Sequence, residues 1–356
     1  MARVLVTGGA GFIGSHTCLL LLERGFDVSV IDSLTNSYSE SLDNIRYLYK
    51  DKNKFGNKLD FIKGDIRDVK TLNKIFFHAE NLNSPIESVI HFAGLKSVKD
   101  SISSPIQYWD VNVKGSINLI QVMKQFNCNK IVFSSSATIY GFNDGNLIKE
   151  TSHINPINPY GVTKLTVENL LNDIFLSQQD QWRIASLRYF NPIGAHPSGK
   201  IGENPIGKAS NIFPTLLNVA AREINSLKVY GSDWDTPDGT GIRDYIHVMD
   251  VADAHVAALN FLNKNSPQYS FFNIGTGIGT SVLELINTFQ EVNKVNINHN
   301  FCSRREGDLA NVIADNNLAI SKLDWYPKNN LEDMCKDGWN WKLLNLKNNS
   351  YETSNL

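Results

Sequence analysis

Along the first two hundred positions, short runs rich in Val and Ile alternate with longer amphipathic stretches. The short runs fall at residues 4–7, 27–32, 59–64, 88–93, 130–135 and 183–189 and read as strands. Residues 15–24, 69–77, 107–126 and 160–176 carry their apolar positions at helical spacing. Apolar strands alternating with helices predict a Rossmann-type, doubly wound parallel sheet covered on both faces. Gly25, just past the first helix, has the place of a left-handed helix stop. Residues 36–58 are polar and read as an insertion with some helix.

Beyond residue 190 the pattern changes. Residues 191–210 are rich in Gly and Pro, and long loops of this kind in a compact enzyme are usually functional. Shorter elements follow at 212–223, 228–230, 251–262, 281–292 and 331–344. We expect a first domain over 1–190, with a return segment around 243–270, and a smaller mixed α/β domain over 191–346. The tail 347–356 is polar and predicted to fray.

Charge changes this picture little. A formal net charge of −2 gives no electrostatic reason to expect nucleic acid or an anionic membrane as partner. The four cysteines, Cys18, Cys128, Cys302 and Cys335, form no C-x-x-C pair, so no metal site is expected. The apolar run 18–22 is far too short to span a bilayer, and the expected location is cytoplasmic.

Candidate chemistry begins at Thr7-Gly8-Gly9-Ala10-Gly11-Phe12-Ile13-Gly14, between the first strand and the first helix. Glycines there permit a tight turn, close backbone approach to a pyrophosphate and close helix–strand packing. The helix N-terminus offers free N–H groups to the phosphates. Asp32 closes the second strand, where a carboxylate would bind both ribose hydroxyls and repel a 2′-phosphate, which selects NAD over NADP. Asp65 and Ile66 end the third strand, where an adenine would lie, although a turn-stabilising role for Asp65 is the alternative. Phe92, Ala93 and Lys96 lie at the end of the fourth strand, where small residues let the chain pass close to the cofactor.

Ser134-Ser135-Ser136 closes the fifth strand, and Tyr160 and Lys164 share one face of the next helix, a single turn apart. A free tyrosine titrates near pH ~10, and a neighbouring ammonium is expected to lower that value toward useful proton transfer. His16 and His247 read as structural, and His196 stays open.

These motifs resemble the UDP-hexose 4-epimerases of the extended short-chain dehydrogenase/reductase family along nearly the whole chain. Carrying the resemblance, besides those above, are Ser134 to Gly141, Leu187-Arg188-Tyr189-Phe190-Asn191, Gly239 to Asp250 and Arg304-Arg305-Glu306-Gly307-Asp308. It implies tightly bound NAD and epimerisation through a transient 4-keto sugar, with Tyr160, Lys164 and Ser136 as the catalytic group. By resemblance, Gly8, Gly11, Phe12, Ile13, Gly14, Asp32, Ser33, Asn36, Asp65, Ile66, Phe92, Ala93, Lys96, Asn112, Tyr160, Lys164 and Phe190 contact the cofactor. Lys96, Ser136, Tyr160, Asn191, Asn211, Lys228, Tyr230, Arg243, Arg305, Asp308 and Val312 line or border the UDP-sugar site. Guanidinium groups bind phosphate oxygens in pairs, which suits Arg243 and Arg305 to a diphosphate.

Val312 stands where the family carries either a tyrosine, which restricts the pocket to plain hexoses, or a small residue, which admits an N-acetyl group. UDP-N-acetylglucosamine and UDP-N-acetylgalactosamine are therefore expected substrates, unless other residues, such as those at 200–210, narrow the pocket. A 4,6-dehydratase would need an acid pair directly after the catalytic Ser, where this chain has Ala137 and Thr138. A non-catalytic NAD- or sugar-binding module is the other alternative. The resemblance also implies a homodimer formed through the helices at 107–126 and 160–176.

Overall fold

The computed structural model describes residues 2–353 except 51–55, 142–146, 208–210 and 306. Part of the 36–58 insertion, the end of the 191–210 loop, Glu306 and the last three residues of the tail therefore lie outside the described residues.

The chain opens with β1 (Arg3–Thr7), α1 (Phe12–Glu23), β2 (Asp27–Asp32), α2 (Glu40–Lys50), β3 (Leu59–Lys63), α3 (Val69–Asn81) and β4 (Ile86–His91). It continues through α4 (Val98–Ser103), α5 (Pro105–Tyr108), α6 (Gly115–Gln125), β5 (Lys130–Ser136), α7 (Pro159–Ser177) and β6 (Arg183–Tyr189). Then come β7 (Asn191–Ile193), α8 (Ile212–Ala220), β8 (Leu227–Tyr230), β9 (Ile242–Arg243), β10 (Tyr245–His247), α9 (Val248–Lys264) and β11 (Gln268–Ile274). The last elements are β12 (Thr280–Ser281), α10 (Val282–Asn293), β13 (His299–Cys302), β14 (Asn311–Val312), α11 (Asn317–Leu323) and α12 (Leu331–Thr353).

Seven strands form one parallel sheet in the order β11-β6-β5-β4-β1-β2-β3. Both faces are covered, which explains the unbroken apolar runs: Val4, Val6, Val28 and Val30 pack with Leu19, Leu22, Val256 and Leu259. Leu5, Ile31, Val89, Ile131 and Ile184 pack on the other side with Leu72, Phe76, Leu119 and Leu171. The order reverses between β1 and β4, and ligands of such sheets bind at the carboxyl ends beside that reversal. A third core, built on Phe213, Leu217, Val229, Leu285, Phe289 and Trp341, belongs to the later elements.

The early strands and helices lie where the apolar pattern predicts, and Gly25 has φ +89° just past α1. Three features differ. The sheet gains a seventh strand at Gln268–Ile274, whose mixed sequence of Gln, Tyr, Ser, Phe and Asn has neither clean alternation nor a Val/Ile run. The expected helix at 107–126 is α5 and α6 joined by a π-helical stretch, Trp109–Lys114. There the Ser116 hydroxyl bonds the Asn112 carbonyl at 2.5 Å, and the Asn112 side chain is drawn to the backbone of Leu95. Finally, α12 continues through the polar residues 347–353, a stretch with no Gly or Pro.

Candidate active site

The glycine loop is shaped by close approach. A Cβ on Gly8 would lie 2.8 Å from the Ala93 nitrogen, and Gly8 has φ +71°. A Cβ on Gly14 would lie 2.3 Å from the Gly8 carbonyl oxygen, so α1 packs directly on the loop. Gly11 differs: a Cβ there would meet only the Gly8 oxygen, at 3.3 Å, and the space above it is open. Gly11 is also the N-cap of α1, and no side chain caps the helix. An open, uncapped helix start beside a glycine turn is a fitting cradle for a pyrophosphate.

Asp32 is buried at the end of β2. Its carboxylate accepts from the Ala10 amide at 3.0 Å, the Leu34 amide at 2.9 Å and the Ser37 hydroxyl at 3.0 Å. Three donors fill part of its capacity and leave an acceptor position for a ribose hydroxyl. Ser33 and Asn36 lie exposed just beyond it.

Asp65 accepts three hydrogen bonds from Arg67, at 2.8, 3.0 and 2.7 Å. The Arg67 guanidinium holds its carboxyl below the usual carboxylate range. Both expected roles thus remain open to Asp65, since the turn is stabilised and the group is still partly exposed. Ile66 is buried against α6, and Phe92 lies 4.5 Å from His255, ring to ring. The Ala93 amide donates to the Thr7 hydroxyl at 3.2 Å. Asn112 spends both amide protons within the protein, on the Leu95 carbonyl and the Thr163 hydroxyl, each at 3.1 Å. It braces the chain after β4 and has no side-chain donor left for a cofactor.

Tyr160, Lys164 and Ser136 come together at the carboxyl end of β5. Asn158 starts α7 by accepting from the Gly161 amide at 2.9 Å, with Pro159 at its first position. The three serines have different duties. Ser134 pairs its hydroxyl with Tyr189, Ser135 donates to Glu168 at 2.5 Å, and Ser136 accepts from the Thr138 amide and hydroxyl at 3.2 and 3.0 Å. The Lys164 ammonium donates to the Ser134 carbonyl at 2.7 Å and lies 5.8 Å from the centre of the Tyr160 ring.

The expected lowering of the tyrosine is opposed by its burial. Burial raises Tyr160 to about 12, and the hydrogen bond with Ser136 opposes this only in part. Burial likewise lowers Lys164 to about 8, against the pull of Glu168. A desolvated phenol with its base form uncompensated resists ionisation more than the expected ammonium contact favours it.

On the substrate side, Val312 in β14 is in register with Arg243 in β9 and packs against the cluster that holds Phe190, Ile139 and Ala314. Asp308 accepts from Arg305 at 2.9 Å and lies 4.0 Å from Arg243. The Arg305 guanidinium lies 4.6 Å from the centre of the Tyr230 ring. Arg243 donates to the carbonyls of Ile242 and Leu309 at 2.8 and 2.9 Å, and burial lowers its pKa. Asn191 starts β7 in register with Tyr245. Asn211 is the exposed N-cap of α8 and Lys228 is exposed on β8.

Several contributors carry no motif of their own. Glu203 binds Lys96 at 2.6 Å and comes from the Gly-rich loop. Asp244, fully buried, accepts from Thr276, Gly277 and Ala314 and so fixes β14 beside Arg243; its position directly after Arg243 was the available signal. Trp234 stacks under Arg304 at 3.9 Å. The histidines fit structural roles: His247 caps α9 through the Met249 amide at 3.0 Å, and His16 is fully buried and bonded to the Phe12 carbonyl at 2.7 Å. His196 bonds Ser198 within its own loop at 2.8 Å. Among the described residues, no group of His, Cys, Asp and Glu could hold a metal ion, and no helix is long and apolar enough to cross a membrane.

The family described as GDP-mannose 4,6 dehydratase matches residues 5–338. UDP-glucose 4-epimerase of Yersinia enterocolitica is 47% identical over 343 residues, covering 96% of this chain and 98% of that one. The structure of UDP-glucose-4-epimerase from Stenotrophomonas maltophila with bound NAD and formylated UDP-arabinopyranose is 44% identical, with TM-score 0.91, covering 98% and 100% of the two chains. The UDP-Glc/GlcNAc 4-epimerase of Campylobacter jejuni is 32% identical, with TM-score 0.81, covering 97% and 100%.

Proposed function

We propose that this chain, which belongs to the UDP-glucose 4-epimerase family of extended short-chain dehydrogenase/reductases, interconverts UDP-glucose and UDP-galactose with NAD held through the cycle. The observation that carries this is the meeting of Tyr160, Lys164 and Ser136 at the strand ends, with the open glycine cradle on the same edge of the sheet. NAD, when bound, supplies reversible acceptance of a hydride from C4 and a positively charged ring. The glycine loop would hold its pyrophosphate, Asp32 its ribose, and Phe92, Ala93 and Phe190 would border the ring.

Tyr160 takes the proton of the 4-hydroxyl and gives it back, and Ser136 holds that oxygen in line. Because burial raises the phenol, its ionisation depends on positive charge brought near it, of which the Lys164 ammonium is this chain's own share. Arg243 and Arg305 anchor the diphosphate, which leaves the sugar free to present either face. Dehydration lacks its acid pair, since Ala137 and Thr138 follow Ser136. A coupled assay of UDP-galactose with wild type and Tyr160→Phe tests this. Turnover by wild type alone, with NAD retained by both, is expected; an inactive wild type that carries NAD would overturn it.

Acceptance of N-acetylated UDP-hexoses is part of the same reading and rests on the small side chain of Val312 beside Arg243. Undetectable turnover of UDP-N-acetylgalactosamine by enzyme active on UDP-galactose would sink it. We also read residues 1–190 with the return around 243–270 as the NAD-binding domain and 191–346 as the UDP-sugar domain. A homodimer would use the cleft of about 230 Å³ between α6 and α7, lined by Ile117, Ile120, Leu170, Ile174 and Trp182. Light scattering should give twice the chain mass. With four free cysteines we place the protein in the cytoplasm, without nucleic-acid or membrane partners.

A further inference from the structure

A salt bridge lies buried one helical turn beyond Lys164. The side chains of Glu168 and Arg188 are each 3% exposed, and Arg188 grips the carboxylate with two nitrogens, at 3.0 and 2.6 Å. Buried ion pairs are weak contributors to stability, because desolvation offsets the attraction and apolar replacements often serve as well. The contacts of this pair indicate another role.

Tyr160, Lys164 and Glu168 follow at four-residue spacing on the buried face of α7. Glu168 takes the Ser135 hydroxyl at 2.5 Å, and Ser135 is in register with Arg188 across β5 and β6. The residue before Ser135 supplies the carbonyl that binds the Lys164 ammonium, and the residue after it is Ser136. Arg188 is tied in its turn to the Tyr140 hydroxyl at 3.0 Å and the Glu150 carbonyl at 3.1 Å, and lies 4.4 Å from the centre of the Phe271 ring. The end of β5 is thereby fixed against α7 from both sides.

We propose that Glu168, held by Arg188, is a positioning residue that keeps Lys164 protonated and Ser135 locked between the two active-site serine contacts. This rests on the roles given above to Tyr160 and Lys164. The titratable groups that face the lysine are Tyr160 and Glu168 on α7 and His91 on β4, with Arg188 behind Glu168, Tyr189 bonded to Ser134 and Tyr108 of α5 beyond Tyr160. Glu168 is the one carboxylate among them. His91 is kept neutral by burial, with a pKa of about 3. Burial alone favours the amine of Lys164, and Glu168 works against it. Removing the carboxylate therefore lets the lysine lose its proton at lower pH.

The experiment is the pH profile of kcat and KM for UDP-galactose, with bound NAD measured in each protein. In Glu168→Gln the alkaline limb of kcat should descend by roughly one pH unit, with KM within about two-fold of wild type. Glu168→Asp keeps the charge and should keep the limb in place. A folded, NAD-loaded Glu168→Gln with the wild-type limb would overturn the proposal, as would an equal descent in both variants. If Glu168→Gln does not accumulate, the double variant Glu168→Gln/Arg188→Met leaves no unpaired charge and must show a descent in the same direction, smaller because the Arg188 charge is gone as well. Titration of the Lys164 side chain by carbon-13 resonance in the NAD-loaded protein reads the same shift without turnover. It separates failure of this proposal from failure of the proposed activity.

Discussion

On the cofactor side, recognition is built from backbone shape. Gly8, Gly11 and Gly14 act through the side chains they lack, Asp32 is already bonded to three groups of its own fold, and His16, His91 and His255 are buried and neutral. On the proposed substrate side, the surface is built from charge. Arg243, Arg305 and Asp308 meet around Tyr230, and Arg304 pairs with Asp233 over Trp234. A surface of fixed shape suits a cofactor that stays; a cluster of half-exposed charges suits a ligand that enters and leaves. The first half should then be sensitive to volume and acid, the second to salt.

The largest effect is expected from Gly14→Val. Its new atoms would have to enter space where a Cβ alone is 2.3 Å from the Gly8 oxygen. Overpacking of this kind costs about 1–3 kcal/mol or more, and here it also deforms the cradle. The purified variant should carry no NAD by absorbance and melt below wild type. Tyr160→Phe comes next: kcat should fall by about 10²–10⁴-fold while bound NAD is unchanged, since only the proton acceptor is removed.

Acid should then act on the cofactor half. Burial lowers His16 and His91 to about 3 and His255 to about 4. Between those values and the unfolded pKa near 6.5, the unfolded chain binds more protons, so stability falls as pH falls through this range. At pH 5 each histidine contributes a loss of about 2 kcal/mol. Melting temperature measured from pH 7 to 5 should drop steeply, and His255→Gln should flatten the slope. Salt should raise KM for the UDP-sugar but leave bound NAD unchanged, because the exposed Arg305 guanidinium is screened from the diphosphate it is proposed to hold.

The same contrast decides what was legible in the sequence. Shape written as glycine spacing, Val/Ile runs and the Tyr160–Lys164 interval is local, and it predicted the sheet, the glycine turn and the helix that carries Tyr160 and Lys164. Properties set by distant neighbours were not legible. The pKa of Tyr160 depends on burial by the whole fold, and the expected lowering came from one neighbour alone. Asn112 pointed to the cofactor by resemblance, but its amide serves Leu95 through a π-helical stretch that apolar periodicity does not encode. Glu203 meets Lys96 across more than a hundred residues, and no spacing rule links them.

That last contact joins the two halves, and it gives the smallest of the expected effects. The segment from His196 to Glu203 crosses from the substrate side to the cofactor side. Its Ile201 is buried in the core that also holds Ala10, Leu42 and Ile45. The carbonyl of Lys200 accepts from Asn44 of α2 at 3.0 Å, and the Lys200 ammonium lies 4.3 Å from the centre of the Tyr47 ring. Glu203 is buried while its partner Lys96 is 43% exposed, so water screens the pair from one side. A half-exposed ion pair contributes about 1 kcal/mol or less. Glu203→Gln should therefore speed exchange of bound NAD against labelled NAD by no more than about five-fold, with kcat little changed. An unchanged exchange rate would mean that this segment is held by Ile201, Asn44 and Tyr47 without the Glu203–Lys96 pair.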